Sequence, residues 1–281
     1  MTRPRILVSG ASGLLGPYLA MAAKEWGDVF TTSRTSGDFP ADLIDPDETK
    51  NLIKKTDPDI LVHAVGLTDV DVCEKDPHLA SDLNTKAAEN LAGLLSSDVC
   101  FVGISTDQVY PDRPGPHAEG LEDPVNVYGR SKLAGEKAVL THPGGLVFRT
   151  NFFGPSHTPG RSSLSDFFVD NFRAMKEVTL FSDVFFSPLH MKTLCDFVFR
   201  SVSEGLRGIY NLGSRDGTSK AEFGLSVARH LGLSTEKAIL GKAQLQPDRA
   251  KRPADMRMDV TKIETDLKTK MPTLEEEISK L

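Results

Sequence analysis

The sequence predicts an α/β protein: a doubly wound parallel sheet with a smaller C-terminal region beside it. Three observations predict this. Short apolar runs alternate with longer helical patterns as far as residue 150. The first run leads straight into a glycine-rich turn. Beyond Thr150 the alternation gives way to Phe-, Ser- and Gly-rich segments of irregular spacing. At 281 residues the chain is long for one domain and short for two large ones, which fits one sheet domain and an appendage.

The runs Arg5 to Ser9, Val29 to Ser33, Asp59 to Ala64, Val99 to Ser105 and Leu146 to Thr150 are short and bounded by Gly, Asp or Pro, the pattern of buried strands. Between them Leu14 to Glu25, Asp47 to Lys55, Leu79 to Leu95 and Val125 to Leu140 carry apolar residues at helical spacing. Strands and helices in strict alternation make a parallel sheet, because parallel neighbours need a crossover between them. Further helices are expected near Leu164 to Lys176, Met191 to Ser203 and Ser219 to Leu231.

Composition removes several function classes. With 39% hydrophobic and 26% charged residues the chain is of ordinary globular type. The net charge is -6 and the Lys and Arg residues are scattered, so no nucleic-acid partner is expected. No apolar stretch nears the roughly 20 residues a membrane span needs, and the run before Gly10 is too short for a signal-peptide core. Cys73, Cys100 and Cys195 lie far apart without a Cys-x-x-Cys, which suggests neither a disulfide nor a zinc site and fits a cytoplasmic setting. His63, His78 and His190 have no ligand spacing, so no metal is expected. Phe152-Phe153, Phe167-Phe168 and Phe185-Phe186 read as core or interface, with Phe152 the exception argued below.

Strand Ile6-Leu7-Val8 runs into Gly10-Ala11-Ser12-Gly13-Leu14-Leu15-Gly16 and then a helix, the context a dinucleotide-binding turn requires. Gly10 allows the tight turn, Gly13 lets the backbone approach a pyrophosphate, and Gly16 permits close packing, while Ser12, Leu14 and Leu15 complete a helix N-terminus with unpaired N–H groups. The sheet is therefore expected to be Rossmann-type. The Gly-x-x-Gly-x-x-Gly spacing points toward short-chain dehydrogenases. An NAD site usually places an acid on the ribose 2′-OH at the end of the second strand, but Thr32-Ser33-Arg34 has no carboxylate before Asp38. NADP(H) is favoured, with Arg34 pairing the 2′-phosphate and Ser33 adding a hydrogen bond; NAD(H) is left open.

Tyr128 and Lys132 stand four residues apart on an expected helix, hence on one face. The fourth strand ends in Ser105-Thr106-Asp107, so a hydroxyl, a phenol and an ammonium are expected to converge at the sheet's carboxyl edge beside the nicotinamide. Lys132 would lower the Tyr128 pKa, Tyr128 would give its proton to a carbonyl oxygen receiving hydride, and Thr106 would hold that oxygen.

At these residues the chain resembles the dTDP-4-dehydrorhamnose reductase family of extended short-chain dehydrogenases. The resemblance lies chiefly in Ser105-Thr106-Asp107-Gln108-Val109-Tyr110 and in the thirteen-residue block Pro124 to Glu136, Pro-Val-Asn-Val-Tyr-Gly-Arg-Ser-Lys-Leu-Ala-Gly-Glu. Ala64 to Asp71 is similar to the family's third-strand loop, Ala41-Asp42-Leu43 to its adenine-side loop, and Arg252-Pro253 to its late Arg-Pro turn. The resemblance implies catalysis by Thr106, Tyr128 and Lys132. It implies cofactor contacts at Asp42, Leu43, Ala64, Val65 and Gly66, and a nucleotide-sugar substrate contacted at Thr68, Asp107 and Phe152. Arg161, Arg173 and Arg252 are the candidates for that substrate's diphosphate.

Gln108 stands where an aromatic is common, Phe152 where Trp is common, and Phe186-Ser187-Pro188 where a Pro-Thr turn is usual. These departures leave the hydride chemistry and unsettle the identity of the sugar. Two rivals share the motifs: a sugar-nucleotide epimerase, and a non-catalytic binding subunit like the regulatory subunit of methionine adenosyltransferase, which is similar to the same family. Residues 1–150 are expected to form the dinucleotide-binding domain. Residues 151–281 are expected to be mainly a substrate-binding region with some elements returning to the sheet, and a homodimer is left open.

Overall fold

The computed structural model describes residues 3–243 and 249–281. Its first half alternates β1 (Arg5–Ser9), α1 (Gly16–Ala23), β2 (Asp28–Thr32), α2 (Pro46–Thr56) and β3 (Ile60–His63). A short α3 (Val70–Lys75) follows, then α4 (Pro77–Ser81), a π-helical turn Asp82–Lys86 and α5 (Ala87–Leu94) in one continuous run. β4 (Cys100–Thr106), α6 (Val127–Thr141) and β5 (Gly145–Thr150) complete it.

The second half runs β6 (Phe152–Phe153), α7 (Leu164–Arg173), β7 (Val178–Phe181), β8 (Phe185–Phe186), β9 (Leu189–His190), α8 (Met191–Ser203) and β10 (Gly208–Leu212). It ends with β11 (Thr218–Ser219), α9 (Lys220–His230), β12 (Ala238–Gly241), β13 (Asp255–Met256), α10 (Thr261–Asp266) and α11 (Leu274–Ile278).

Six strands form one parallel sheet in the order β10-β5-β4-β3-β1-β2, so the doubly wound expectation holds. The chain leaves β1 toward β2 and returns to its other side with β3, which puts the switch point, and hence the ligand crevice, between β1 and β3. Side chains alternate between two covered faces. Ile6, Val8, Val62, Ile104 and Phe148 pack under α1 and α8 with Leu19, Leu194 and Val198. Leu7, Leu61, Phe101 and Val147 pack under α2, α5 and α6 with Leu52, Leu91 and Val139. A third core of Phe153, Phe168, Phe186, Phe223 and Val227 belongs to the C-terminal region, and in each adjacent Phe pair only one ring is fully sunk.

Several helix ends differ from the sequence pattern by two or three residues, and two of the starts have a visible local cause. α1 starts at Gly16 rather than Leu14, because residues 11–15 form the turn itself. The run expected to be one helix from Leu79 to Leu95 contains the π turn and begins at Pro77, where the Asp76 carboxylate accepts from Leu79 N at 3.0 Å. No helix among the described residues is long and apolar enough to cross a membrane.

Candidate active site

β1 ends at Gly10, whose φ of +83° lies in the left-handed region. A Cβ there would stand 2.8 Å from the Ala64 carbonyl, and one at Gly16 would stand 2.3 Å from Gly10 O. Only glycines let the turn close, and the closure brings the unpaired N–H groups of the α1 N-terminus to the switch point. A cleft of about 730 Å³ opens there. Gly10, Ser12, Gly13, Leu14 and Leu15 line its floor; Gly16 lies beneath them, packed on Gly10. Ser33, Arg34, Asp42 and Leu43 line one end, Ala64, Val65, Gly66 and Thr68 the middle, and Thr106, Tyr128, Lys132, Gln108 and Phe152 the other.

At the first end Asp38 accepts from Thr31 N at 2.9 Å and from Thr31 Oγ1 at 2.8 Å. This carboxylate is spent on closing its own turn. Ser33 Oγ lies 2.7 Å from Ser36 Oγ and donates to Ser36 O at 2.9 Å, so its hydroxyl shapes the loop that presents Arg34. The Arg34 guanidinium is exposed and makes no ion pair among the described residues.

At the other end β4 delivers Thr106 and α6 delivers Tyr128 and Lys132. Asn126 caps α6, its Oδ1 accepting from Gly129 N at 2.7 Å, so the helix begins just before Tyr128. Burial holds the phenol well above its ordinary pKa; its hydrogen bond with Thr106 opposes this, and the charges of Asp107 and Cys73 add to it. Lys132 Nζ donates to Ile104 O at 2.7 Å, and burial pushes its pKa down to about 8 against the pull of Glu136. The expected lowering of the phenol by Lys132 is therefore corrected. The ammonium is turned to a strand carbonyl, and desolvation dominates Tyr128.

Asp107 is fully buried beside the cleft. Its Oδ2 accepts from Asn151 Nδ2 at 2.8 Å, and burial raises its pKa to about 6. Two further sequence candidates are not brought to the cleft wall. Arg252 is paired with Asp71 at 2.7 Å and donates to Ala250 O at 2.8 Å. Arg173 is exposed at the end of α7. Arg161 does reach the cleft, but at the glycine turn, where its Nε donates to Ser12 O at 3.2 Å.

Two sets of supporting residues went unread in the sequence. Asn84, on the π turn and buried, accepts from Leu67 N at 2.8 Å and donates to Leu67 O at 3.1 Å and Ser131 Oγ at 2.9 Å. It braces the loop after β3 against α6. Arg149, wholly buried on β5, pairs with Glu136 of α6 at 2.7 Å and donates to Tyr110 Oη at 3.2 Å and Glu119 O at 2.6 Å. Ser105 Oγ donates to the same Glu136, so one carboxylate ties together β4, β5 and α6. A signal was present for this set alone: Glu136 follows Tyr128 and Lys132 at the same four-residue spacing.

The donor set fits a nicotinamide dinucleotide, with a glycine cradle that Cβ atoms would fill, a cation where a 2′-phosphate would lie, and a phenol, hydroxyl and ammonium at the far end. Fold and site together define a short-chain dehydrogenase/reductase of the extended kind. The chain belongs to the family described as the RmlD substrate binding domain, whose model matches residues 4–281. It is 29% identical over 288 residues to a probable low-salt glycan biosynthesis reductase of Haloferax volcanii, covering 98% of this chain and 96% of that protein. Over 282 residues it is 27% identical to a dTDP-4-dehydrorhamnose reductase of Shigella flexneri, covering 95% and 93%. Over 273 residues it is 27% identical to methionine adenosyltransferase 2 subunit beta of Danio rerio, covering 92% and 84%. Among solved structures, a dTDP-4-dehydrorhamnose reductase of Bacillus anthracis in complex with NADP superposes with a TM-score of 0.89 at 22% identity, covering 100% and 98%.

Proposed function

We propose that this protein is an NADP(H)-dependent reductase of a keto group on a nucleotide-linked deoxysugar, of the dTDP-4-dehydrorhamnose reductase kind. The observation that carries the reading is the meeting of Thr106, Tyr128 and Lys132 at the end of a cleft whose floor is the glycine turn. The reductase names among the relatives support it.

Gly10 to Leu15 hold the dinucleotide's phosphates, Arg34 its 2′-phosphate, and the Ala64-Val65-Gly66 segment and Lys132 its nicotinamide half. When bound, the nicotinamide supplies the hydride to the carbonyl carbon. Tyr128 Oη donates its proton to the carbonyl oxygen, and Thr106 Oγ1, which lines the same end of the cleft, fixes that oxygen's position. A phenol held above its ordinary pKa keeps its proton throughout the neutral range. An alkoxide is a much stronger base than a phenolate, so the transfer still runs downhill. Lys132 spends one of its three N–H groups on Ile104 O and keeps two for the cleft.

The test is loss of NADPH absorbance with a dTDP-4-dehydro-6-deoxy-sugar generated in place, comparing the native protein with Tyr128→Phe. Turnover is expected, with a loss of about 10²–10⁴-fold in the variant. Tight NADPH binding without reduction of any keto-sugar nucleotide would sink the reading.

A further inference from the structure

The segment between β6 and α7, residues 154–163, has no regular structure, yet it is tied down at both ends and in the middle. Asp166 Oδ2 accepts from Ser156 N at 3.0 Å and from Ser163 N at 2.9 Å, which pins its two feet to α7. Its crown is stitched to the nucleotide turn. Thr158 Oγ1 donates to Gly13 O at 2.8 Å, Arg161 Nε donates to Ser12 O at 3.2 Å, and Tyr18 Oη donates to Pro155 O at 2.8 Å. The Tyr18 ring also stacks on His157 at 4.5 Å. The strap therefore grips the turn by two carbonyls, those of Ser12 and Gly13, while Gly13 N donates within the turn to Gly10 O at 2.9 Å.

Among these ties Arg161 differs in what it leaves over. Only its Nε is engaged, the two Nη groups of the fork make no hydrogen bond or ion pair among the described residues, and the residue lines the cleft next to Ser12 and Gly13. An exposed arginine loses side-chain entropy when it is held in one pose, and a single bond to a neutral carbonyl offsets little of that. A fork fixed at Nε with its Nη edge open is oriented for bidentate contact with phosphate oxygens. A helix N-terminus brings roughly half a positive charge, which leaves much of a diphosphate's charge unmatched. Arg34 stands at the 2′-phosphate end of the cleft, beside Ser33 and Asp42.

Resting on the proposed function above, we infer that Arg161 is the second jaw of the cofactor's diphosphate site: the glycine turn holds one side of the diphosphate and Arg161, carried by the strap, closes on the other. The sugar nucleotide's diphosphate is then bound by other groups. The chemical class recognised is a dinucleotide diphosphate, and the recognition is indifferent to the 2′-phosphate.

The experiment titrates native protein, Arg161→Ala, Arg161→Lys and Arg34→Ala with NADPH and with NADH, following nicotinamide fluorescence, and adds the KM for the sugar nucleotide. Arg161→Ala is expected to weaken NADPH and NADH by the same factor, about ten- to a hundredfold, with Arg161→Lys in between and the sugar-nucleotide KM unmoved at saturating NADPH. Arg34→Ala is expected to weaken NADPH alone. If Arg161→Ala leaves both cofactor affinities intact and raises only the sugar-nucleotide KM, the residue serves the substrate and the inference is overturned. If it moves nothing, Arg161 is a surface tie to Ser12 and the inference is equally overturned. A native protein that binds neither nucleotide overturns the functional reading as well, whereas a native enzyme that reduces its substrate while Arg161→Ala is silent overturns only this inference.

Discussion

Asp107 lies one residue past Thr106 with its carboxyl raised from 3.8 to about 6, by burial first, against the amide of Asn151 and the charge of Lys220. A carboxyl raised in the fold binds its proton more tightly there than in the unfolded chain. Its contribution to stability is complete below about pH 4 and lost as pH rises through about 6, to the extent of about 3 kcal/mol. Asp107→Asn is therefore expected to stabilise the protein by about 1–3 kcal/mol at pH 7 and by almost nothing at pH 4. Urea unfolding at the two pH values measures this, and an equal effect at both would refute it. Lys132, pushed down to about 8, sets the opposite limit. The kcat/KM for NADPH, which reports the free enzyme, is expected to fall above about pH 8 as the ammonium loses its proton. A profile flat to beyond pH 9 would assign Lys132 an ordinary pKa.

At the scale of the element, α6 carries Tyr128 and Lys132, and Glu136 ties α6 to β4 and β5. The Glu136–Arg149 pair is buried on both sides, so removing one partner strands a charge. Glu136→Gln is expected to cost about 3–5 kcal/mol, and Glu136→Gln combined with Arg149→Met distinctly less. Denaturant midpoints of the single and double variants decide this; a double variant worse than the single would remove the pair from its assigned role. The long strands and helices were legible because their apolar residues keep a period. Arg149 was not, since a charge within Leu146 to Thr150 has no local sign of a partner on the preceding helix. The two-residue strands β6, β8, β9, β11 and β13 are too short to show any period, and α3 is less than two turns. The pairing of Arg252 was hidden for a related reason: its partner Asp71 lies 181 positions away. Of the candidate site, the glycine turn and the Tyr128-Lys132 pair were legible because spacing alone defines them. The raised phenol depends on surroundings that no spacing encodes.

At the scale of the molecule, the second half of the chain is woven into the first. β10 pairs with β5 to extend the parallel sheet, α8 covers one face of that sheet, and Val260, Ile263 and Leu267 join the same core. Unfolding is expected to be one cooperative transition, not two. Trp26, the single tryptophan, stacks on Phe199 of α8 at 6.4 Å, so its fluorescence reports the contact between the halves. Its thermal curve should coincide with that of the far-ultraviolet circular dichroism, and a second, separate step in either signal would show that the halves melt independently.

Cys73 is fully buried in a cluster with Val70, Ala80 and Tyr128, and burial pushes its thiol up to about 11. A thiol in that state is silent toward alkylating reagents until its surroundings part. Its labelling rate therefore acts as a clock for excursions of α3 away from the Tyr128 phenol, including openings too rare for any equilibrium spectrum to register. Whatever binds in the cleft and steadies Tyr128 should slow that clock, even when no structural change accompanies binding.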